Sequence, residues 1–324
     1  MAQHAATFSV YDMIGIKEDV DDTIYRVSQE DTPFVSGLSR GKAENRRVEW
    51  QTDALRAARA NAQIEGDDAT YYTRTPTVLL HNQTQIMSDA MVVSGTARSV
   101  DTYGREEELA YQIMKEMAAL KLDVEFNTVR NTKIDVGTDT TARQLGGLES
   151  WLSSNVRKAG SNSASTTPGY SGGALAAPTD GTNMSTFLES DLRFLQTTIW
   201  TAGGKPSVLM INGANKALFS RTFTGIAALQ RQIGDKQNVS VAGSAGFYDG
   251  DFGILKVLPN PQQRGRTAFL LDMSKFRLDV LRSFRTEPLA KTGDADKRMI
   301  LTELTLVSKN EKASGKIVDI LDSY

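Results

Sequence analysis

Residues 101–131 read DTYGREEELAYQIMKEMAALKLDVEFNTVRN and form the longest uninterrupted periodic stretch of the chain. Apolar side chains recur there at steps of three and four residues, which predicts one buried stripe along a single helix. The stripe consists of Leu109, Ile113, Met117, Leu120 and Val124. Asp101 is the predicted N-cap, because its carboxylate can accept a hydrogen bond from a first-turn amide. A helix of about 28 residues is roughly 40 Å long, so it needs a sheet or a neighbouring molecule beside it.

A charged segment without periodicity lies upstream of this helix, between two predicted strands. The strands cover residues 46–52 and 76–87, where polar residues alternate with apolar or β-branched ones. Between them, residues 53–75 read DALRAARANAQIEGDDATYYTRT and follow neither a helical nor a strand period. Loops of this length are uncommon in compact domains and are usually functional. We therefore expect an extended two-stranded arm that lies on another subunit.

Charged residues of this segment and of the strand before it are the candidate subunit-contact residues. They are Arg46, Arg47, Arg56, Arg59, Glu65, Asp67 and Asp68. An isolated surface ion pair contributes only ~0–1 kcal/mol, but weak pairs repeated in a symmetric assembly set its register and still allow errors to dissociate. We predict that the arginines pair with the acidic residues between subunits. A loop that serves only solubility is the alternative.

The chain after the long helix alternates predicted helices and strands. Residues 159–183 are rich in Gly, Ser, Thr and Ala, which is typical of a mobile loop. The remaining predicted elements are helices at 185–202 and 213–222 and strands at 207–211, 252–258, 267–273, 299–307 and 315–321. The helix–strand–helix order indicates an α/β layer. The last two strands are expected to pair as an antiparallel hairpin and to supply the sheet under the long helix.

Composition excludes several classes of protein. The 324 residues, 40% of them hydrophobic and 23% charged, suffice for a large core. A net charge of −2 gives no general reason to bind nucleic acid. Cysteine is absent, which excludes disulfides and thiolate metal sites. The N-terminus lacks the pattern of a signal peptide and no apolar run approaches the ~18 residues of a membrane span, so we expect a cytosol-like compartment.

Apparent catalytic motifs lack the partners that their chemistry needs. Residues 37–41, GLSRG, fit the G-x-S-x-G nucleophile pattern around Ser39. That pattern requires a preceding buried strand and a later acid and histidine, but the only downstream histidine, His81, lies on a predicted strand of the arm. Residues 251–253, DFG, are not accompanied by the other kinase motifs. We predict that the chain is not an enzyme and uses no cofactor.

Metal-binding patterns are equally incomplete. His4 and His81 are the only histidines, which is too few for a histidine site, and zinc is disfavoured without cysteine. The acidic pairs at 67–68 and at 294 and 296 do not follow the spacing of a calcium loop. We predict no metal site.

Four stretches, in this order along the chain, resemble tailed-phage major capsid proteins of the Hong Kong 97 type. They are TPFVSGLSRGKAENRRVEWQTDAL (32–55), VSGTARSVDTYGREEELAYQ (93–112), ARQLGGLESWL (142–152) and SKNEKASGKIVDI (308–320). None of them is a chemical motif, so the resemblance depends on several matching segments in the right order. Residues 160–290 are covered least.

The resemblance implies an α+β fold of the Hong Kong 97 type, divided into five segments. These are an N-terminal arm (1–45), an extended β-loop with its base (46–100), a peripheral domain with the spine helix (101–160), an axial α/β domain (161–270) and a return to the peripheral domain (271–324). In such proteins the extended loop overlaps a neighbouring subunit. Some crosslink their shell through a lysine on this loop, but no lysine lies between Lys42 and Lys115, which argues against such a bond here.

The function implied by the resemblance is structural. The chain is expected to assemble into hexamers and pentamers that form the icosahedral head of a tailed phage in the host cytoplasm. The shell would enclose double-stranded DNA without reading its sequence. A portal protein and separate scaffolding or decoration proteins are the expected partners, with no membrane involved. The alternative is an encapsulin-like compartment, which has the same fold around protein cargo.

Overall fold

The computed structural model describes residues 30–69, 71–102, 107–160, 168–223 and 246–321. Its helices are α1 (Pro33–Gly37), α2 (Gly95–Ser99), α3 (Glu108–Arg130), α4 (Leu148–Trp151), α5 (Glu189–Thr201) and α6 (Gly213–Phe223). Its strands are β1 (Ser39–Lys42), β2 (Arg47–Thr52), β3 (Val78–Gln83), β4 (Gln85–Ser94), β5 (Val156–Lys158), β6 (Tyr170–Ser171), β7 (Ala174–Leu175), β8 (Val208–Ile211), β9 (Phe247–Gly250), β10 (Gly253–Pro259), β11 (Ala268–Leu271), β12 (Phe276–Pro288), β13 (Ala295–Ser308) and β14 (Gly315–Val318).

The long helix predicted from the sequence is α3, but its predicted N-cap, Asp101, is wrong. The cap is Glu107, whose side chain makes no capping hydrogen bond. A competing start signal lies upstream, where the Ser94 hydroxyl accepts a hydrogen bond from a first-turn amide and begins the short helix α2. The chain is extended again at Val100, and residues 103–106 lie outside the described ranges.

The apolar stripe of α3 packs on a sheet, as predicted. Leu109, Leu120 and Val124 are buried, and Ile113 and Met117 are partly buried against the same core. That core also contains buried residues of β4, β12 and β13. Each large aliphatic side chain buried this way contributes roughly 1.5–3 kcal/mol. The helix of 23 residues is therefore held mainly by packing on the sheet, as is usual for protein helices.

The sheet under α3 has four strands in the order β1-β12-β13-β4. Strand β1 runs parallel to β12, and the other two pairs are antiparallel. Every residue from Ile300 to Ser308 of β13 is buried, because α3 and neighbouring segments cover this half of the strand. The antiparallel ribbon of β2 and β3 leaves this part of the molecule.

The second large sheet has six strands in the order β5-β14-β11-β8-β10-β9. Strands β8 and β10 are parallel, and α5, β8 and α6 confirm the predicted helix–strand–helix order. Phe187, Leu192, Leu195 and Ile199, from α5 and the residues before it, are all buried in the core of this sheet. The apolar run of β8 packs there with residues of β10 and β11.

The predicted hairpin of residues 299–307 and 315–321 is wrong. Strand β13 pairs with β12 and β4, whereas β14 pairs with β11 and β5 in the other sheet. Between them, a 3₁₀ turn at Glu311–Ala313 is capped by the side chain of Asn310 and carries the chain from one sheet to the other. Alternating apolar residues determine which face of a strand is buried, but they do not determine which strand is its partner.

Two further predictions need correction. The predicted strand at 76–87 is two strands that meet at Thr84. Strand β3 pairs with β2 and strand β4 pairs with β13, while the buried Thr84 hydroxyl donates to Glu303 Oε1 at 2.7 Å. The predicted mobile loop at 159–183 contains the β6–β7 hairpin, while residues 161–167 lie outside the described ranges. The hairpin turn uses Gly172 and Gly173 at φ 60° and 83°, and this pair of positive φ angles is the conformation that two-residue hairpin turns favour.

Candidate subunit-contact site

The arm, residues 53–77, connects β2 and β3 and extends from the body. The ladder below it runs from Arg47 opposite Gln83 to Thr52 opposite Val78. Beyond that ladder the chain forms neither helix nor strand, and every described residue of the arm is exposed. The described residues of the arm therefore contribute nothing to the buried core.

Large apolar side chains of the arm are also exposed. The exposed fractions are 100% for Leu55, 77% for Ile64 and 93% for Tyr71. A single exposed apolar residue is ordinary on a protein surface, but the arm buries none of its own to offset them. Exposed apolar side chains gathered in one segment are typical of an interaction surface.

The predicted arginines lie along the ribbon and the first half of the arm. Arg47 Nε is 2.6 Å from Glu49 Oε1 on the same strand. Arg56 donates to the carbonyl of Ala57 at 3.0 Å. The Arg59 guanidinium lies over the Tyr72 ring, 3.6 Å from its centroid, which is a cation–π contact between the two halves of the arm.

The predicted acidic residues lie at the tip of the arm, apart from these arginines. A turn forms there, with the amide of Asp67 donating to the Ile64 carbonyl at 3.2 Å and the amide of Asp68 donating to Asp67 Oδ1 at 2.9 Å. Among described residues, Arg46, Arg56, Arg59, Glu65, Asp67 and Asp68 form no ion pair within 4.0 Å. One chain thus presents positive and negative groups on different parts of the arm, and pairing between subunits stays a prediction.

An aromatic stack that sequence reasoning missed holds the base of the arm. The Trp50 ring of β2 lies 5.4 Å from that of Trp151 in α4. The Tyr170 ring stacks on that of Trp151 with centroids 5.5 Å apart, and it makes an edge-to-face contact with the His81 ring of β3 at 5.5 Å. The sequence signal was Trp50 at an inward position of an alternating strand, but nothing in the sequence indicated its partners.

Buried polar groups complete this attachment. The Asn82 amide donates to the carbonyls of Leu306 at 2.7 Å and Gly146 at 3.1 Å. Its oxygen accepts from the Gly146 amide at 2.8 Å. The Asn82 side chain therefore joins β3 both to β13 and to Gly146, so the ribbon is anchored where it leaves the body.

A buried carboxylate joins the N-terminal part of the chain to α3. Glu125 lies on α3 and is fully buried. It accepts hydrogen bonds from the backbone amides of Phe34 at 2.9 Å and Val35 at 2.8 Å, and from the Asn260 amide at 2.6 Å. Burial raises the pKa of Glu125, and the three hydrogen bonds oppose that shift. Sequence reasoning missed this contact, because a single Glu on a helix reads as an exposed residue.

A second buried charged group ties β14 to α4. Lys316 is fully buried, and its Nζ donates to the Glu149 carbonyl at 2.6 Å. Burial lowers the pKa of Lys316 to about 8, while the nearby Glu149 carboxylate acts in the opposite direction. Arg264 Nη1 lies 3.1 Å from Glu149 Oε1, and Arg264 Nη2 lies 2.6 Å from Asp180 Oδ2. The Glu149 carboxylate therefore has a charged partner. This network joins β14, α4 and the segment before β11.

The structure assembles none of the apparent catalytic motifs. The hydroxyl of Ser39 donates to the Phe276 carbonyl at 3.4 Å, whereas His81 contacts Tyr170 and Arg47. Residues 251 and 252 form the turn between β9 and β10. Over the described ranges, no group of three or more His, Cys, Asp or Glu residues is arranged to hold a metal ion. Within the same ranges no helix has the length and apolar content of a membrane span.

Comparison with known proteins identifies relatives over nearly the whole chain. The family model described as SU10 major capsid protein matches residues 3–321. A curated relative, the major capsid protein of Escherichia phage Phieco32, is 27% identical over 335 residues, with 95% of each chain covered.

Solved structures with low sequence identity share the fold. Phage G gp27 major capsid proteins, solved with gp26 decoration proteins, match with a TM-score of 0.58 at 9% identity, covering 99% of this chain and 100% of that chain. The SrpI encapsulin from Synechococcus elongatus PCC 7942 matches with a TM-score of 0.59 at 9% identity, covering 95% and 94%. The expected α+β fold of the Hong Kong 97 type is confirmed.

Proposed function

This chain belongs to the SU10 major capsid protein family, and from that premise we propose that it assembles into the hexamers and pentamers of an icosahedral phage head. The observation that carries the proposal is the arm. Its described residues are all exposed and include large apolar side chains, so a neighbouring subunit is the surface that would bury them. Closed symmetric assemblies repeat such a contact at every subunit.

In this proposal the charged residues of the arm determine how subunits fit together. Arg56 and Arg59 of one subunit would meet acidic groups of a neighbour, and the acidic tip at 65–68 would meet basic ones. Arg46 and Arg47, at the base, would add to the positive end of this contact. Each pair contributes little by itself, which lets incorrectly placed subunits dissociate before the shell closes.

We propose that five segments of the chain form the following parts of the capsid subunit. Residues 1–45 form an N-terminal arm, 46–100 the extended loop and its base, and 101–160 a peripheral domain built on the spine helix α3. Residues 161–270 form an axial domain that gathers around the five-fold and six-fold centres. Residues 271–324 return to the peripheral domain, although β14 within them also joins the six-stranded sheet.

The proposed shell encloses double-stranded DNA without sequence-specific contacts. A net charge of −2 supports enclosure rather than tight binding, because affinity for nucleic acid comes mainly from neutralising phosphates. The further partners would be a portal protein and separate scaffolding or decoration proteins. The place of action would be the virion, after assembly in the host cytoplasm. We propose no catalytic role, in line with the hydrogen bond of Ser39 to a main-chain carbonyl.

An encapsulin-like compartment is the second candidate, favoured by the likeness to the SrpI encapsulin. That likeness concerns the fold alone at 9% identity, whereas the family match spans residues 3–321. The two candidates differ in what the shell holds. Particles purified from the native host would contain nuclease-resistant DNA if the chain forms a phage head, and protein cargo if it forms a compartment.

Light scattering and negative-stain microscopy of the purified recombinant chain test assembly directly. We expect closed shells, or free hexamers and pentamers, whose amount rises with protein concentration. If the chain stays monomeric, co-expression with the neighbouring genes would supply a missing scaffold. A chain that is still monomeric after that would contradict the proposal.

A further inference from the structure

The helix α3 carries a second apolar stripe on a side that its sheet does not cover. This outer stripe consists of Met114, Ala118, Leu122 and Phe126, which follow one another at steps of four residues and therefore lie along one side of the helix. The exposed fractions are 69% for Met114 and 41% for Phe126, and the other two side chains are partly buried. A surface helix normally has one apolar stripe, so a second one marks a surface that another segment would cover.

Positive charge lies on both sides of the outer stripe. Lys115 comes three residues before Ala118 and Lys121 three residues after it, so the two lysines flank this alanine on opposite sides of the stripe. Both lysines are exposed. Glu116 Oε1 is 3.8 Å from Lys115 Nζ, at the long limit of an ion pair. A segment that fits this surface must therefore combine an apolar side chain with negative charge.

The tip of the arm, residues 64–68, has that composition. Ile64 is 77% exposed, and the carboxylates of Glu65, Asp67 and Asp68 follow it within four residues. The described residues of the tip and the lysines of α3 are all exposed in the single chain, so the two surfaces do not cover each other there. A contact between them requires two copies of the chain.

The arm is long enough to make this contact. The 12 residues from 53 to 64 span up to roughly 40 Å when extended. The 23 residues of α3 span about 35 Å. An arm that leaves one body at the end of the β2–β3 ribbon can therefore lay its tip anywhere along the helix of an adjacent copy.

We propose that the tip of the arm docks on the outer stripe of α3 in a second copy of the chain. Ile64 covers the stripe, and the three carboxylates of the tip lie beside Lys115 and Lys121. This docking rests on the proposed function, since it needs an assembly of copies. It names the basic groups and the apolar surface that the tip meets there.

The chain has no cysteine, so introduced cysteines can test the docking by disulfide formation. Ile64→Cys and Met114→Cys are placed in two separate full-length chains, one of them tagged, which are mixed, assembled and oxidised. A disulfide needs Cα atoms within about 7 Å of each other. We expect the mixed dimer on a non-reducing gel. The matched control replaces Met114→Cys by Ile254→Cys, an apolar position of β10 that is 63% exposed, and should lose that product.

A charge exchange tests the same contact without cysteines. Lys115→Glu with Lys121→Glu places like charges against the tip, and it should raise the protein concentration needed for assembly by about tenfold or more. Adding Glu65→Lys and Asp67→Lys to the same chain should restore assembly. All four positions are exposed, so the urea midpoint of the unassembled chain should stay unchanged and exclude misfolding.

Three outcomes would overturn the docking. Shells without the disulfide between positions 64 and 114, or a charge exchange that does not restore assembly, would do so and leave the proposed function intact. A disulfide of Met114→Cys with Val10→Cys in place of Ile64→Cys would assign the outer stripe to the N-terminal segment instead. A chain that stays monomeric even with its neighbouring genes co-expressed would contradict the proposed function and the docking together.

Discussion

Residues 300–308 of β13 and residues 53–69 of the arm both lie outside any helix, yet their environments are opposite. All nine positions from Ile300 to Ser308 are buried, whereas every residue of 53–69 is exposed. The buried stretch includes Glu303, while the exposed one includes Leu55 and Ile64. The chemistry of single residues does not explain this difference.

Neighbouring segments explain it. Glu303 accepts hydrogen bonds from Thr84 and Arg143 at 2.7 Å and from Arg282 at 2.8 Å, which offset the cost of burying its carboxylate. Leu55 has no such neighbours within the chain. The body is therefore stabilised by its own contacts, while the described residues of the arm are all exposed. The predictions below test that contrast, in order of their expected effect on the stability of the free chain.

The largest effect is expected from removing a side chain of the core. Leu120→Ala leaves a cavity between α3 and the four-stranded sheet, so it should lower the free energy of unfolding by about 2–5 kcal/mol. Leu55→Ala makes the same chemical change on the arm and should alter it by less than about 0.5 kcal/mol. Urea unfolding of the unassembled chains measures both values. Similar losses for the two variants would mean that the arm packs on its own body.

The next effect concerns the carboxylate of Glu125. Glu125→Ala leaves the amides of Phe34 and Val35 and the side chain of Asn260 without their acceptor. Because each unpaired buried group costs about 1–3 kcal/mol, we expect a loss of roughly 3 kcal/mol. Glu125→Gln keeps one acceptor oxygen and should lose less. Equal losses for the two variants would show that packing, not hydrogen bonding, holds α1 on α3. The urea midpoints of the two variants at neutral pH distinguish hydrogen bonding from packing.

Lys316 should produce a smaller, pH-dependent effect. Its folded pKa of about 8 lies below the ordinary value of 10.5, so between these values the unfolded chain binds more protons than the folded chain. Lys316 therefore makes stability rise with pH in that window, by at most about 1.4 kcal/mol per pH unit. Lys316→Met should flatten the rise. Urea midpoints at a series of pH values between 8 and 10.5 measure the slope, and an equal slope in both proteins would contradict the assignment.

The smallest effect on stability is expected from the arginines of the arm, although their effect on assembly should be large. Arg56→Glu with Arg59→Glu should leave the free energy of unfolding within about 0.5 kcal/mol but block shell formation. Arg56→Lys with Arg59→Lys preserves the charge and should still assemble. Light scattering and negative-stain microscopy measure shell formation by the glutamate and the lysine double variants. Normal shells from the glutamate variant would show that these arginines only keep the arm soluble.

Sequence reasoning succeeded where a pattern depends on one segment. The apolar stripe from Leu109 to Val124 has a helical period, and a helix with such a stripe must bury it. The helix α3 was therefore predictable before the sheet beneath it was known. The strand β2 and the buried strand β8 were predictable for the same reason. The exposed arm was predictable from its lack of periodicity.

The same reasoning failed where the answer depends on two distant segments. The partner of β14 is β11 rather than β13, and apolar alternation would have been the same in either sheet. The buried contacts of Glu125 and His81 join residues far apart in sequence, so no local pattern indicates them. The candidate subunit-contact residues are a third case, because the partners that we propose for them lie on a neighbouring subunit.

The sequence by itself determined the elements of this protein: a long amphipathic helix, strands with an inward and an outward face, and a charged arm with no core. It did so because periodicity and turn residues act locally, within one or two turns of the backbone. Only the tertiary structure decided strand order, the anchoring of the arm by Trp50 and Asn82, and the burial of Glu125 and Lys316. Those outcomes depend on which distant surfaces meet, and hydrogen bonds to buried charges form only after they have met.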